Sequence, residues 1–401
     1  MMQTSAPTRS SAGPSLMRAA VLVDTGRIEV RDVASPQPRA DEVRIRVAAV
    51  GVCGTDLHIF AGHANYNKDA TGRLIPLREQ PQILGHEVAG VVEAIGTQVT
   101  DLRKGDRVII DQGRNCLSEH RVPLCEYCAT GDSHQCEHYR EHGITGLPGG
   151  LAEYVAVPAV NAVKIHSAIA LDLAVLAEPL GCIVHSSDLV VRAPSRYRLQ
   201  PGRRGEGGAE RVRTAVVCGA GPAGLLFVQY LRNVLHFSET LIVIEPNANK
   251  RALAKRFGAE VIDPSAVDPV AAVQERTGGR RAELLIEATG SAVVFESIPR
   301  LVRKQATVLL YGHGHVGADL SVLNQLQFLE PSLITPAGAS GGFEKDGRPS
   351  TYVRALSLIE QGTVDAASIV THRFTSLDAV SDALANAHRA PEYVKGVVTL
   401  S

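Results

Sequence analysis

The stretch AVVCGAGPAGLLFVQYL, Ala215 to Leu231, constrains the fold of this chain more than any other. It carries no charge and runs from an apolar strand through a G-x-G-x-x-G turn (Gly219, Gly221, Gly224) into an apolar helix start. In that context the glycines form a dinucleotide fingerprint. The first permits a tight turn, the second lets a pyrophosphate approach the backbone, and the third lets the helix pack on its strand. Pro222 and Ala223 complete the turn, where a helix N-terminus favours negative phosphate. TLIVIEP, NKRALAKRFG, AEVID, LLIEATG and ATVLLYGHG then alternate strand and helix, as a doubly wound parallel sheet requires. Glu245 ends the next strand, 21 residues past Gly224. A carboxylate there accepts hydrogen bonds from ribose hydroxyls and repels a 2′-phosphate, which favours NAD over NADP. Lys250 and Arg251 nearby keep NADP as the alternative.

The first half carries a second chemistry. Cys53 stands in GVCGTDLH, His86 and Glu87 in GHE, and Glu178 in AEPLGC. Thiolate, imidazole and carboxylate together are the donors that hold a catalytic Zn²⁺ with one position open. Of seven cysteines, four crowd between Cys116 and Cys136, in the order Cys116, Cys125, Cys128, Cys136. In a reducing compartment such a crowd reads as a metal site before a disulfide framework. Buried thiols and a core histidine are the bland reading of the same residues.

Composition narrows the class. A chain of 401 residues exceeds one ordinary core, so two domains are expected. A net charge of -1 with 21% charged residues marks no nucleic-acid or membrane surface, and small molecules are the expected partners. No bilayer-spanning run and no secretory h-region are evident, which makes the cytoplasm the default location. Aromatics at 4%, with no Trp, argue against base- or sugar-stacking platforms. The Ser/Thr/Pro-rich start reads as a disordered tail, and short β-type runs follow from Ala19 to Ile110. Helical spacing spans Ile165 to Val191 with Pro179 interrupting it. The Gly/Arg segment from Arg192 to Arg213 reads as a surface loop, or else as a basic patch for an anion.

GVCGTDLH, GHEVAGVVEAIG, C-x2-C-x7-C, AEPLGC and GAGPAG in this order resemble the zinc-containing medium-chain dehydrogenases, the alcohol and polyol dehydrogenase family with its sorbitol, threonine and glucose dehydrogenase-like branch. The resemblance implies an α/β chain with a GroES-like β-rich catalytic domain and a Rossmann cofactor domain. Its expected divisions are a tail at 1–16, the catalytic domain at 17–190 with a zinc lobe at 114–138, the Rossmann domain at 191–340, and a return to the catalytic domain at 341–401. It implies that Cys53, His86, Glu87 and Glu178 hold the catalytic zinc, with Glu178 bound directly or through water. Asp56 would orient the ligating imidazole, Thr55 would take the substrate proton and His58 would pass it on.

Cys116, Cys125, Cys128 and Cys136 would hold a structural zinc, although LSEHRVPL intervenes where the family's first two ligands stand close. His120, His134 or His138 in place of Cys116, or a lobe without metal, remain alternatives. The implied reaction passes hydride between NAD and a secondary alcohol of a polyol, sugar or cyclitol. A simple alcohol or a threonine-type amino alcohol is the runner-up, and a non-catalytic cofactor-binding protein the minor alternative. A homodimer or homotetramer is implied by the same resemblance. Residues 61–81 lengthen the path from Cys53 to His86 and could form part of the cleft rim; Asn65, Tyr66, Asn67 and Lys68 there are expected as surface loop residues, with contacts to substrate hydroxyls or a phosphate as the alternative.

Overall fold

The structure, a computed structural model, describes residues 15–199 and 210–400. The expected tail therefore lies outside the described residues up to position 14, as do positions 200–209 of the Gly/Arg segment. The ends of that segment are built: Tyr197–Arg198 pairs in parallel with Glu210–Arg211, and Tyr197 and Val212 are buried. At the expected end of the tail, Leu16 already opens the strand Leu16–Asp24.

The Ile, Val and Ala runs of the first half form a mixed sheet. Its order is Ala162–Lys164, Arg107–Ile110, Glu87–Ile95, Glu42–Gly51, Lys395–Thr399 and Val370–Phe374, with Tyr154–Pro158 also pairing to Glu42–Gly51. The C-terminal strand Lys395–Thr399 runs antiparallel to Glu42–Gly51, so residues from opposite ends of the chain share one ladder. Gly51 lies opposite both Glu87 and Val397. A Cβ at Gly51 would stand 1.9 Å from Glu87 Oε2, so the register itself demands glycine there.

The fingerprint strand Thr214–Cys218 sits at the centre of a six-stranded parallel sheet. The order is Glu260–Ile262, Thr240–Ile244, Thr214–Cys218, Ala282–Glu287, Val302–Leu310, Ser332–Ile334. In chain order that is 3-2-1-4-5-6, the dinucleotide-binding arrangement, with its crevice at the carboxyl ends of the strands where the order reverses. Near-continuous apolar strands fit this sheet because helices cover both its faces.

Pro179 does not interrupt a helix. It lies in the first turn of Ala177–Arg192, where a missing N–H costs nothing because that donor has no intrahelical partner. Together Leu171–Arg192 is long and apolar enough to cross a bilayer, yet 72% of its most apolar stretch is buried inside the protein, as in a core helix. Its apolar face packs with the C-terminal helix Ser350–Glu360 and the fingerprint helix Pro222–Gln229 in one core. That core ties the two sheets together.

Candidate active site

Strand register brings the first centre together. Cys53 precedes the helix Gly54–Phe60, while His86 directly precedes the strand Glu87–Ile95 that Glu87 opens. Their ligand atoms lie within 4.8 Å of one another. Asp56, one turn into the helix, is buried and accepts hydrogen bonds from Cys53 N at 2.9 Å and Gly85 N at 3.2 Å; its Oδ1 lies 3.4 Å from His86 Nδ1. Burial opposes charge on His86, yet Asp56 and Cys53 raise the imidazole well above its ordinary value. Asp56 and Cys53 thus favour a cation beside that ring. Glu87 is fully buried, with Oε1 paired to Lys395 Nζ at 2.5 Å and Oε2 without a hydrogen-bond partner among the described residues. A buried carboxylate oxygen with no donor beside a thiol and an imidazole fits a metal ion.

Glu178 stands outside this group of three, a departure from the four-residue set. It faces the same cleft from the first turn of its helix. Its Oε1 accepts from Gln112 Nε2 at 3.2 Å and from the Cys182 thiol at 3.6 Å. Tyr352 from the C-terminal helix donates to Gln112 Oε1, so the amide of Gln112 is fixed with its N–H toward Glu178. Burial lifts the Glu178 carboxyl to about 7.

The cleft around these groups has a volume of about 520 Å³. Thr55 and His58 line it from one helix face, and Pro222, Ala223, Thr289 and His313 line it from the Rossmann side. Cys53, His86 and Glu87 and the glycine-rich turn therefore open into one space. Tyr66 is no loop-surface residue: it is half-buried on this cleft, with its hydroxyl 3.0 Å from His313 Nε2. Asn67 beside it is buried and donates to Gln80 at 3.1 Å. Burial and the neighbouring imidazoles of His313 and His63 depress the His58 pKa.

At the fingerprint, Gly219 has φ +93°, a left-handed conformation that favours glycine. A Cβ on Gly224 would lie 2.0 Å from the Gly219 carbonyl oxygen, while Gly221 has open space before it. Those are the three duties that a bound pyrophosphate asks of the motif. Glu245 accepts from Ala220 N at 2.7 Å and Asn247 N at 2.8 Å, so its carboxylate is fixed against the turn. Arg251 is turned elsewhere. Its guanidinium donates to the Glu245 and Pro246 carbonyls and pairs with Asp263 at 2.7 Å.

The second centre is closed. The four sulphurs of Cys116, Cys125, Cys128 and Cys136 lie within 4.8 Å of one another, and none forms a disulfide. Two of their spacings are 3.7 Å (Cys116 to Cys136) and 3.9 Å (Cys125 to Cys136). Thiolates about 2.3 Å from a tetrahedral ion stand roughly 3.8 Å apart, so the gap fits zinc. The alternative histidines are engaged or set apart: His134 meets Asp111 at 3.2 Å, His120 meets Asp41 at 3.1 Å, and His138 is exposed. Backbone N–H groups of Cys128 and Glu137 lower the Cys125 thiol to about 6, toward the thiolate that a metal takes.

Sequence reasoning missed Lys395, Gln112, Tyr352 and His313. A lone lysine in the apolar run YVKGVVTL was a signal for Lys395; the others carry none that survives without the fold.

Comparison with known proteins agrees with this geometry. The family model for the alcohol dehydrogenase GroES-like domain matches residues 39–167, and that for zinc-binding dehydrogenase matches residues 222–360. L-threonine 3-dehydrogenase of Thermococcus kodakarensis is 32% identical over 88% of this chain and 90% of its own length. Sorbitol dehydrogenase of Bacillus subtilis is 27% identical over 93% of this chain and 94% of its own. The crystal structure of a putative zinc-binding dehydrogenase from Sinorhizobium meliloti, bound to NADP, superposes with a TM-score of 0.76 at 29% identity, covering 96% of this chain and 99% of that one. This chain belongs to the zinc-containing medium-chain alcohol and polyol dehydrogenase family, and it is an NAD(P)-dependent enzyme.

Proposed function

We propose that this enzyme oxidises a secondary alcohol of a polyol, sugar or cyclitol to the ketone with NAD. The observation that carries the reading is the single cleft shared by Cys53, His86 and Glu87 with the fingerprint turn. When bound, zinc supplies Lewis-acid polarisation of the alcohol oxygen. Cys53, His86 and Glu87 would hold it, Asp56 fixes the orientation of His86, and Lys395 holds the second oxygen of Glu87. Thr55 accepts the alcohol proton, and His58, one turn further on the same helix, receives it. A depressed pKa keeps His58 neutral and able to accept. Cys116, Cys125, Cys128 and Cys136 would hold a structural zinc.

The polyol preference rests on the cleft lining and on kinship. Glu141, Glu178, Gln112 and Thr145 offer several hydrogen-bonding groups around one reacting position, which suits a polyhydroxylated chain. Glu245 favours NAD by its place against the turn, although the Sinorhizobium relative holds NADP. A threonine-type amino alcohol is the second reading, favoured by the 32% identical relative and by the carboxylates of Glu141 and Glu178, which would receive an ammonium group. The protein would act in the cytoplasm as a homodimer or homotetramer.

The deciding experiment follows NADH absorbance with zinc-replete protein against polyols, aldoses, cyclitols, their phosphates, threonine and simple alcohols. Chelator-sensitive turnover of a polyhydroxylated substrate is the expected result. Turnover of threonine or simple alcohols alone would overturn the polyol assignment.

A further inference from the structure

The stretch LSEHRVPL that separates Cys116 from Cys125 builds a feature of its own. The chain turns back at His120 (φ +50°), and Arg121 N donates to Cys116 O at 2.9 Å, which delivers Arg121 beside the lobe. There Arg39, Arg114, Glu119, Arg121, His138 and Arg140 surround a concavity of about 190 Å³. It is separate from the catalytic cleft and shares no lining residue with it.

Charge is unbalanced in this concavity. Glu42 and Glu119 serve Arg39 and Arg114: Glu42 lies 3.0 Å from Arg39 and 3.4 Å from Arg114, and Glu119 lies 2.5 Å from Arg114. Asp41 faces Arg39 and His120. Among the described residues, no carboxylate or hydrogen bond engages the guanidinium of Arg121 or Arg140. The backbone sharpens the imbalance. Gly113–Arg114 and Arg140–Glu141 form a two-stranded antiparallel ladder in which Arg114 stands directly opposite Arg140. Glu42 and Glu119 already neutralise Arg114, so the charge left uncompensated across the ladder is that of Arg140, and an anion there would balance it.

We propose that this concavity binds a small oxyanion of the phosphate class, held by Arg121 and Arg140 with Arg114 behind them. Guanidinium forks match the oxygens of a phosphate, and two of them are free to do so. Free phosphate and the terminal phosphate of a small metabolite share this chemistry.

The test uses the full-length, zinc-loaded enzyme with saturating NAD, so that the pyrophosphate site of the cofactor is filled. Inorganic phosphate and glycerol phosphate are titrated by calorimetry and by thermal melting against chloride of equal ionic strength. One saturable site per chain is expected, weakened about tenfold by Arg121→Gln and again by Arg140→Gln, the scale of a lost charge-assisted hydrogen bond. Tighter binding of the ester would support a metabolite as the source, and equal binding would support free phosphate. Without phosphate, Arg140→Gln should melt close to wild type, because no ion pair is lost; with phosphate the wild type should melt higher. Absence of saturable binding, or binding that survives both substitutions, would overturn the site. A large fall in melting temperature for Arg140→Gln in phosphate-free buffer would overturn the reading of Arg140 as unpaired, on which the site rests.

Discussion

Four thiols meet in the lobe between Cys116 and Cys136, whereas a single thiol meets an imidazole and a carboxylate at the head of the cleft. The lobe surrounds its gap with sulphur on every side and opens onto no cleft residue, which is the arrangement of a metal that holds chain segments together. The cleft trio leaves one side to the space that Thr55, His58 and the fingerprint turn also line. A second carboxylate, Glu178, lines the same cleft outside the set. The difference teaches that ligand type alone does not separate structure from catalysis; what matters is whether the fold spends its last donor on the metal or on a neighbour.

Substitutions on the two sides should fail differently, beginning with the largest effect. Cys53→Ala is expected to lower kcat/KM by about a thousandfold or more, the scale of losing charge stabilisation at a reacting oxygen, while thermal stability changes little. Steady-state kinetics beside a melting curve checks this, and retained turnover would break the contrast. Cys128→Ser should do the reverse. Its melting temperature should fall sharply, with turnover per folded molecule within a fewfold of wild type, because a structural ion contributes to folding directly. Metal analysis should read about two zinc ions per chain in wild type and about one in either variant.

A smaller effect separates the regions by acid. His142 follows the strand that carries Glu141 and is 3% exposed, with Nδ1 against the Pro148 carbonyl at 2.9 Å. Burial depresses its pKa to about 4. Above the ordinary value of 6.5 it is neutral folded or unfolded and costs nothing. As pH falls from about 6.5 to about 4, the unfolded chain takes a proton that the folded one refuses, so stability is lost, by up to about 3 kcal/mol. Urea unfolding of His142→Gln between pH 4 and 7 should show a flatter decline than wild type. An equal decline would assign the acid sensitivity elsewhere.

The smallest effect concerns the cofactor wall. Glu245→Ala should weaken NAD relative to NADP by about tenfold, the loss of one hydrogen-bonding contact to the ribose with release of the block on a 2′-phosphate. Cofactor KM ratios measure it. An unchanged ratio would leave Glu245 as a strut for the backbone of Ala220 and Asn247 alone.

Much of the fold was legible because local sequence carried it. The fingerprint strand, turn and helix lie within seventeen consecutive residues, and their apolar pattern and glycines act over one turn. The lobe was legible by its cysteine spacing despite LSEHRVPL, since a loop between ligands does not spoil a tetrahedron. Pro179 misled, because a proline in the first turn and a proline that breaks a helix differ only in where the helix begins. Tyr66 was left open between a plain surface loop and the cleft rim, where it lies, since nothing local distinguishes a polar loop from one that folds over a cleft.

By itself, then, the sequence determined which donors exist and which segments become strand or helix, as short-range sterics and hydrophobic period set these. Only the tertiary structure decided which donors meet. Lys395 reaches Glu87 across 308 residues because antiparallel pairing fixes Val397 against Gly51, and Tyr352 orients Gln112 across 240 because the C-terminal helix packs on the cleft's core. Such contacts depend on register and on the approach of whole elements, which residue types along the chain do not encode singly.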